Sequence, residues 1–225
     1  MSLALLGAQI AAVQAREVRI GLLTQQGIDR ESAAWAATTE HLDRAIDGYS
    51  FRLVPFPNPD ALSEAARKGQ LEFAITSPSS LVQLEVRQGA RALLDLVSRW
   101  QDTPLTRMGG VLFTSATRKD INVVRDMAGK TLMAVSNNSF GGWLTIKGEL
   151  LEQDFDPTHD LSRLIFAGGS PKDVVRAVLN GKADVGAVRT GVLERMAAAG
   201  EISMSDVKII RSHPKESFPL AHSTD

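Results

Sequence analysis

The chain has 225 residues, of which 44% are hydrophobic and 23% charged, with 18 Gly and 9 Pro. Those proportions exclude a disordered, collagenous or low-complexity protein, and the length suits one large domain or two lobes with a sizeable core. The balance of 25 Lys+Arg against 26 Asp+Glu argues against a nucleic-acid partner, and the absence of Cys rules out disulfides, thiolate metal sites and a thiol nucleophile.

Residues 1–15 read as a signal-peptide remnant or leader. Leu3 to Ala15 is apolar, uncharged and rich in small residues, and Val13-Gln14-Ala15 suits a signal-peptidase site. The run is shorter than the roughly 20 residues needed to span a bilayer. An amphipathic N-terminal helix is the other reading. From Glu17 the chain alternates strand and helix patterns. Strands are predicted over Glu17–Leu23, Phe51–Pro55, Phe73–Thr76, Arg91–Trp100, Gly109–Thr114, Thr131–Val135, Leu164–Ala167, Val185–Val188 and Val207–Ile210. Helices are predicted over Glu31–Ile46, Asn58–Lys68, Pro78–Gln88, Trp143–Gln153, Pro171–Asn180 and Val192–Ala199, several of them stopped by Gly. Val123–Met127 reads as a short helix or turn. Strands separated by helices of this length predict an α/β protein, with mostly parallel sheets covered by helices on both faces and built as two successive lobes. No internal sequence repeat is evident.

Three strand-to-helix junctions share one chemistry. Thr76-Ser77-Pro78-Ser79-Ser80, Ser136-Asn137-Asn138-Ser139-Phe140-Gly141-Gly142 and Gly168-Gly169-Ser170-Pro171-Lys172-Asp173 each follow a strand and open a helix. Ser before Pro gives an N-cap followed by Pro at the first helical position, and Ser170 with Asp173 has capping-box spacing. Such helix starts carry unpaired N–H groups and partial positive charge, so hydroxyls and glycines there let an anion approach the backbone. In open α/β sheets these junctions lie at the carboxyl ends of the strands, where ligands bind. Ser77, Ser79, Ser80, Ser136, Ser139, Phe140, Gly141, Gly142 and Ser170 are therefore the candidate ligand contacts. Helix capping alone also explains each serine, but paired glycines at a helix start suggest close backbone approach to something.

Further candidates stand at other strand ends. Arg189 and Thr190 follow Val185–Val188, where Arg189 can grip an anion bidentately or else pair with Glu194. Lys172 sits at the second helical position, which is unfavourable for the helix dipole and consistent with either a ligand role or a solvated lysine. Thr24 and Gln25 follow the first strand and can line the same site. Trp35 and Trp143 serve either as an aromatic wall or as core. His41, His159, His213 and His222 are scattered without metal-ligand spacing, so no metal site is expected and no cofactor is called for. P-loop, G-x-S-x-G, H-E-x-x-H and G-x-G-x-x-G patterns are missing, which argues against an enzyme.

Several segments taken together resemble a known family. Gly69-Gln70-Leu71-Glu72-Phe73-Ala74-Ile75-Thr76-Ser77-Pro78, Asp126-Met127-Ala128-Gly129-Lys130, Ser139–Trp143, and Gly168–Val175 with Gly181-Lys182-Ala183-Asp184-Val185-Gly186 are similar to motifs of the phosphonate-binding-type periplasmic solute receptors. Val188–Glu194 and Phe218–Thr224 resemble the branch used as extracytoplasmic sensor domains of tetrathionate-sensor-like histidine kinases. The resemblance covers about residues 17–225. It implies a two-lobed type II periplasmic-binding-protein fold, with lobe one at 16–106 plus 205–225 and lobe two at 107–204, the chain crossing at Arg107–Phe113. It further implies a small, anionic solute in the interlobe cleft of a periplasmic sensor domain. The histidine kinase domain and membrane tether of this two-component system would lie elsewhere in the same chain, and a homodimer is compatible. A free receptor of an ABC uptake transporter for phosphonate-like or other oxyanions is the alternative, and an enzyme on a similar scaffold the more remote one. The phosphonate receptors place a ligand-contacting His near the position of Lys172; here no His is present.

Overall fold

The computed structural model describes residues 15–24, 27–100, 103–105, 108–168 and 170–210. The chain divides into two units, Met1–Arg91 and Ala92–Asp225. The expected leader therefore lies almost wholly outside the described residues, as do Gln25, Gly169 and residues 211–225.

Unit 1 runs β1 (Arg16–Leu23), α1 (Ile28–Ala45), β2 (Tyr49–Phe56), α2 (Pro59–Arg67), β3 (Phe73–Ile75) and α3 (Pro78–Gln88). Its three strands are parallel in the order β2-β1-β3. Central β1 buries Val18, Ile20, Leu22 and Leu23, and Leu23 packs with Leu62 of α2 and Leu84 of α3. Asn58 caps α2 by accepting the Ala61 N–H at 2.9 Å, and Gly89 ends α3 in the left-handed conformation that a side chain would resist.

Unit 2 contains β4 (Ser98–Trp100), β5 (Thr103–Leu105), β6 (Gly110–Ser115), a 3-10 turn (Val124–Met127) and β7 (Thr131–Ala134). A π-helical turn (Phe140–Leu144) leads into α4 (Thr145–Glu152). Next come β8 (Arg163–Phe166), α5 (Pro171–Leu179), β9 (Val185–Arg189), α6 (Val192–Ala198), a second 3-10 turn (Met204–Asp206) and β10 (Val207–Ile209). Five strands form one sheet in the order β10-β6-β9-β7-β8, in which β7, β8 and β9 are mutually parallel and β6 is antiparallel to both β9 and β10.

Alternation along the strands sorts their side chains onto two faces. Leu112, Leu132, Ala134, Val185 and Ala187 pack with Trp143, Ile146 and Leu150 on one side. Val111, Phe113 and Val188 pack with Val174, Val175 and Val178 of α5 and Leu193 and Met196 of α6 on the other. Covered on both faces, β9 is buried along Val185–Val188, which is why it reads as a continuous apolar run. Gly186 has no side chain because the Phe113 ring fills that space, 2.3 Å from where its Cβ would stand.

Two expectations about chain path change. Val207–Ile209 does not join the first lobe: it pairs with Ser115, Thr114 and Phe113 of β6. The division between units also falls ahead of the expected crossing at 107. The strand expected over Arg91–Trp100 shrinks to Ser98–Trp100 in a hairpin with β5. Residues 91–97 form no strand, and Leu93, Leu94 and Leu96 stay exposed because no described strand edge receives them.

A duplication that the sequence conceals appears in the topology. The order β2-β1-β3 of unit 1 matches β8-β7-β9 of unit 2. Both third strands begin with the same carboxylate device. Glu72 accepts the Arg19 N–H at 2.7 Å and the Arg19 guanidinium, while its own N–H donates to Arg19 O at 3.0 Å. Asp184 accepts the Thr131 N–H at 2.8 Å and pairs with Arg118, while its N–H donates to Thr131 O at 3.0 Å. Each acid thus ties the beginning of the third strand to the central parallel strand, at Arg19 within β1 and at Thr131 opening β7.

The hydrogen bonds from Arg19 hold the Glu72 carboxyl down to about 2 from 4.5. Burial pushes Asp184 upward, but the Thr131 N–H, Arg118 and Lys130 outweigh it and the group lies below its usual value. Both carboxyls are lowered on folding, so they stabilise above the unfolded-state value and lose that effect as pH falls. For Glu72 the loss runs from about pH 4.5 toward about 2. Urea denaturation is expected to show that Glu72→Gln loses less stability than the wild type between pH 6 and pH 3; equal losses would contradict the linkage. Asp184→Ala strands the Thr131 N–H and is expected to cost about 1–2 kcal/mol at pH 7. That is the lower part of the range for such groups, because the Asp184 side chain is 31% exposed.

Candidate functional site

The carboxyl end of β9, the beginning of β6 and the π-helical turn converge in unit 2. Glycines make this convergence possible. A Cβ on Gly110 would stand 2.2 Å from Ile146 Cγ1 and 2.7 Å from Gly141 O. One on Gly141 would meet Gly109 O and Arg189 Cβ, each at 2.9 Å. Thr190 closes the arrangement: its N–H donates to Gly109 O at 3.0 Å and its hydroxyl accepts the Gly109 N–H at 3.3 Å. Three backbone segments therefore touch with no side chains between them.

Arg189 projects from this junction. It is the one exposed residue of β9, and neither it nor Arg195 has a carboxylate partner among the described residues. The alternative pairing of Arg189 with Glu194 is not formed. Beside it, the first helical hydrogen bond after β7 is Trp143 N–H to Ser139 O at 3.0 Å, so the amides of Phe140, Gly141 and Gly142 precede the ladder. Ser139 caps none of them. Its Oγ lies 2.7 Å from the Cβ position of Gly142, and no described group bonds to it. An unpaired guanidinium, early helix amides and a free hydroxyl make a surface suited to an oxyanion.

The other predicted contacts divide in physical character. Gly141 and Gly142 are buried and their α-carbon faces are filled by Arg189, Gly109 and Ser139, so protein packing accounts for their missing side chains. Phe140 is half-buried, and the Ser136 hydroxyl donates to Asn138 Oδ1 at 2.8 Å. Ser170 serves as the cap of α5, accepting the Lys172 N–H at 3.2 Å while Asp173 accepts the Ser170 N–H at 3.3 Å. Lys172 pairs with Glu201, which also holds Arg176 at 3.1 Å, so its charge is already matched on the surface. Thr190 is buried as the tie to Gly109. Trp143 is 3% exposed and meets Phe166 edge to face, 5.6 Å between centroids, which assigns it to the core.

In unit 1, Thr24 is a strand tie: its N–H and hydroxyl both donate to Phe56 O, at 2.8 and 3.0 Å. Gln25 lies outside the described residues. Ser77 caps α3 by accepting the Ser80 N–H at 3.4 Å, and its Oγ is 3.2 Å from that of Ser79. Ser80 is buried. The neighbouring Thr76 hydroxyl is buried with no described partner. A surface groove of about 330 Å³ between α2 and α3 is lined by Asp60, Ser63, Glu64, Arg67, Arg87 and Gln88. Glu64 there is already taken by Arg67 and Lys68, and the groove lies away from the strand ends. No group of three His, Asp or Glu suited to a metal occurs among the described residues.

Sequence reading missed Arg195. It lies on α6 with its Nη1 2.8 Å from the Cβ position of Gly191, next to Arg189 and Thr190. The available signal was a second basic residue on the short helix that follows β9.

Gly141→Ala is expected to lower stability by about 1–3 kcal/mol, because the contacts it would crowd are backbone and a Cβ that cannot swing away. Gly148→Ala, inside α4 with nothing within 4 Å, is expected to raise it by about 0.5–1 kcal/mol. Equal effects in thermal denaturation would contradict the packing described for the junction.

Residues 20–225 match the model of the phosphonate periplasmic substrate-binding proteins of ABC transporters. The tetrathionate sensor histidine kinase TtrS of Salmonella typhimurium is 28% identical over 196 residues, which is 87% of this chain and 33% of that protein. The chain thus spans about a third of the length of this curated relative. Among solved structures, the phosphonate-transporter binding protein of Pseudomonas aeruginosa superposes with a TM-score of 0.58 at 15% identity, covering 93% of this chain and 67% of its own. PhnD1 of Prochlorococcus marinus, solved with methylphosphonate, gives 0.64 at 16%, covering 87% and 72%. These structural likenesses show the type II periplasmic-binding-protein fold. The match across residues 20–225 places the chain in the phosphonate-binding family of periplasmic substrate-binding proteins.

Proposed function

We propose that this chain is the solute-binding portion of an extracytoplasmic sensor histidine kinase and that it takes a small oxyanion at the Arg189 surface of unit 2. The observation that carries the ligand class is the Arg189 guanidinium, left without a carboxylate beside the Phe140–Gly142 amides and the unbonded Ser139 hydroxyl. The sensor role is supported by the 28% identity to the tetrathionate sensor kinase. Ligand binding would act by favouring one of two conformations and thereby bias the attached kinase.

Uptake is the second reading, favoured by the transporter receptors among the similar structures. The natural gene separates the two: a membrane span and kinase after residue 225 supports the sensor, and a stop codon supports the receptor.

A thermal-shift screen with sulfate, methylphosphonate, tetrathionate, nitrate and acetate tests the ligand class. An anion present at 100 times its dissociation constant is expected to stabilise the protein by about 2.7 kcal/mol. Arg189→Gln is expected to weaken that anion at least tenfold while leaving the unliganded melting temperature within about 2 °C. Absence of a shift with all five anions, or an unaltered shift in Arg189→Gln, would overturn the proposed site.

A further inference from the structure

We infer that Arg195 is a second cationic contact of this site and sets its preference for anions carrying two negative charges; the inference rests on the reading of Arg189 as an anion contact. Helical side chains lean toward the helix N-terminus, which brings Arg195 back over the preceding turn. Its Nη1, Cζ and Nη2 stand 2.8, 3.4 and 3.5 Å from the Cβ position of Gly191. Gly191 has φ +80°, and without a side chain it leaves the space that the guanidinium fills. The cation is thus laid against the backbone two residues after Arg189.

The charges around it are unbalanced. Glu194 adjoins Arg195 in sequence but forms no ion pair with either arginine among the described residues. The Arg195 value is pushed below its usual range, by partial burial first and by the like charge of Arg189 next, while Glu194 opposes the shift. At the opposite end of the same sheet, Arg118 faces two carboxylates, Asp120 and Asp184. Two neighbouring guanidiniums with no carboxylate paired to either repel each other, with Glu194 offsetting this only in part, and a ligand that supplies charge to both relieves the repulsion. A monoanion satisfies one fork; a dianion with oxygens at two ends or on two edges satisfies both. Arg195 therefore discriminates by ligand charge, whereas Arg189 with Ser139 and the Phe140–Gly142 amides supplies the shared part of the site.

The test is calorimetric titration of sulfate and tetrathionate, as dianions, and nitrate and acetate, as monoanions, into the wild type, Arg189→Gln, Arg195→Gln and Arg195→Lys. The wild type is expected to favour the better dianion over the better monoanion at least tenfold. Arg195→Gln is expected to weaken that dianion at least tenfold while changing the monoanion less than threefold, and Arg195→Lys to restore part of the difference. Without ligand, Arg195→Gln should melt no lower than the wild type, since it removes a repulsion.

An Arg195→Gln protein with unchanged dianion affinity, alongside an Arg189→Gln protein that has lost it, would overturn this inference and leave the anion site standing. A wild type that binds none of the four would overturn both. An unliganded Arg195→Gln that melts several degrees lower would assign the residue to structure and overturn its role in selectivity.

Discussion

The meeting of β6, β9 and the π-helical turn is possible only because three backbones touch without side chains between them. Gly110 lies under Ile146, and Gly141 sits against Gly109 O and the Cβ of Arg189. Thr190 adds two hydrogen bonds to Gly109, so the end of β9 cannot drift from the beginning of β6. This crowding fixes the backbone of Arg189 in place and sets Gly141 of the π-helical turn against it. An arginine on a flexible loop would lose much of its binding energy in being ordered. Here the ordering is supplied by the sheet and by the cores on its two faces.

Around that junction the same construction occurs twice. A carboxylate following a left-handed glycine, Glu72 after Gly69 and Asp184 after Gly181, accepts the N–H of a residue in the central parallel strand and binds an arginine. The acids lock the beginnings of the third strands, leaving their opposite ends for the junctions that face ligand in α/β proteins. The duplication stops at the sheet edge. In unit 2 the third strand, β9, is followed by β6 and then β10, while β3 has a described partner only in β1. Phe73 of β3 is accordingly 45% exposed.

Much of this architecture was legible from the chain. The apolar run of β9, the alternation around β1 and the Ser-Pro starts of α3 and α5 each follow from local chemistry, and Ser77 and Ser170 act as caps where the spacing said they would. Pairing was less legible. Arg91–Trp100 has strand composition, yet most of it finds no edge, and Val207–Ile209 joins a sheet whose identity depends on contacts distant in sequence. Individual roles were least legible. The double glycine signals close approach but does not name the approaching group, which proves to be the protein itself. Lys172 and Arg189 look equivalent as cations, and only the distant Glu201 separates the matched charge from the unmatched one. Arg195 escaped because its proximity to Arg189 arises from the turn at Gly191.

The most direct measurement is an amide-resolved NMR titration of the protein with sulfate and methylphosphonate. Saturable shifts of the Phe140, Gly141 and Gly142 amides and of the Arg189 side chain, with matching dissociation constants, are the result this account predicts. Saturable shifts confined to other places, such as the groove between α2 and α3, with those resonances unmoved, would contradict it.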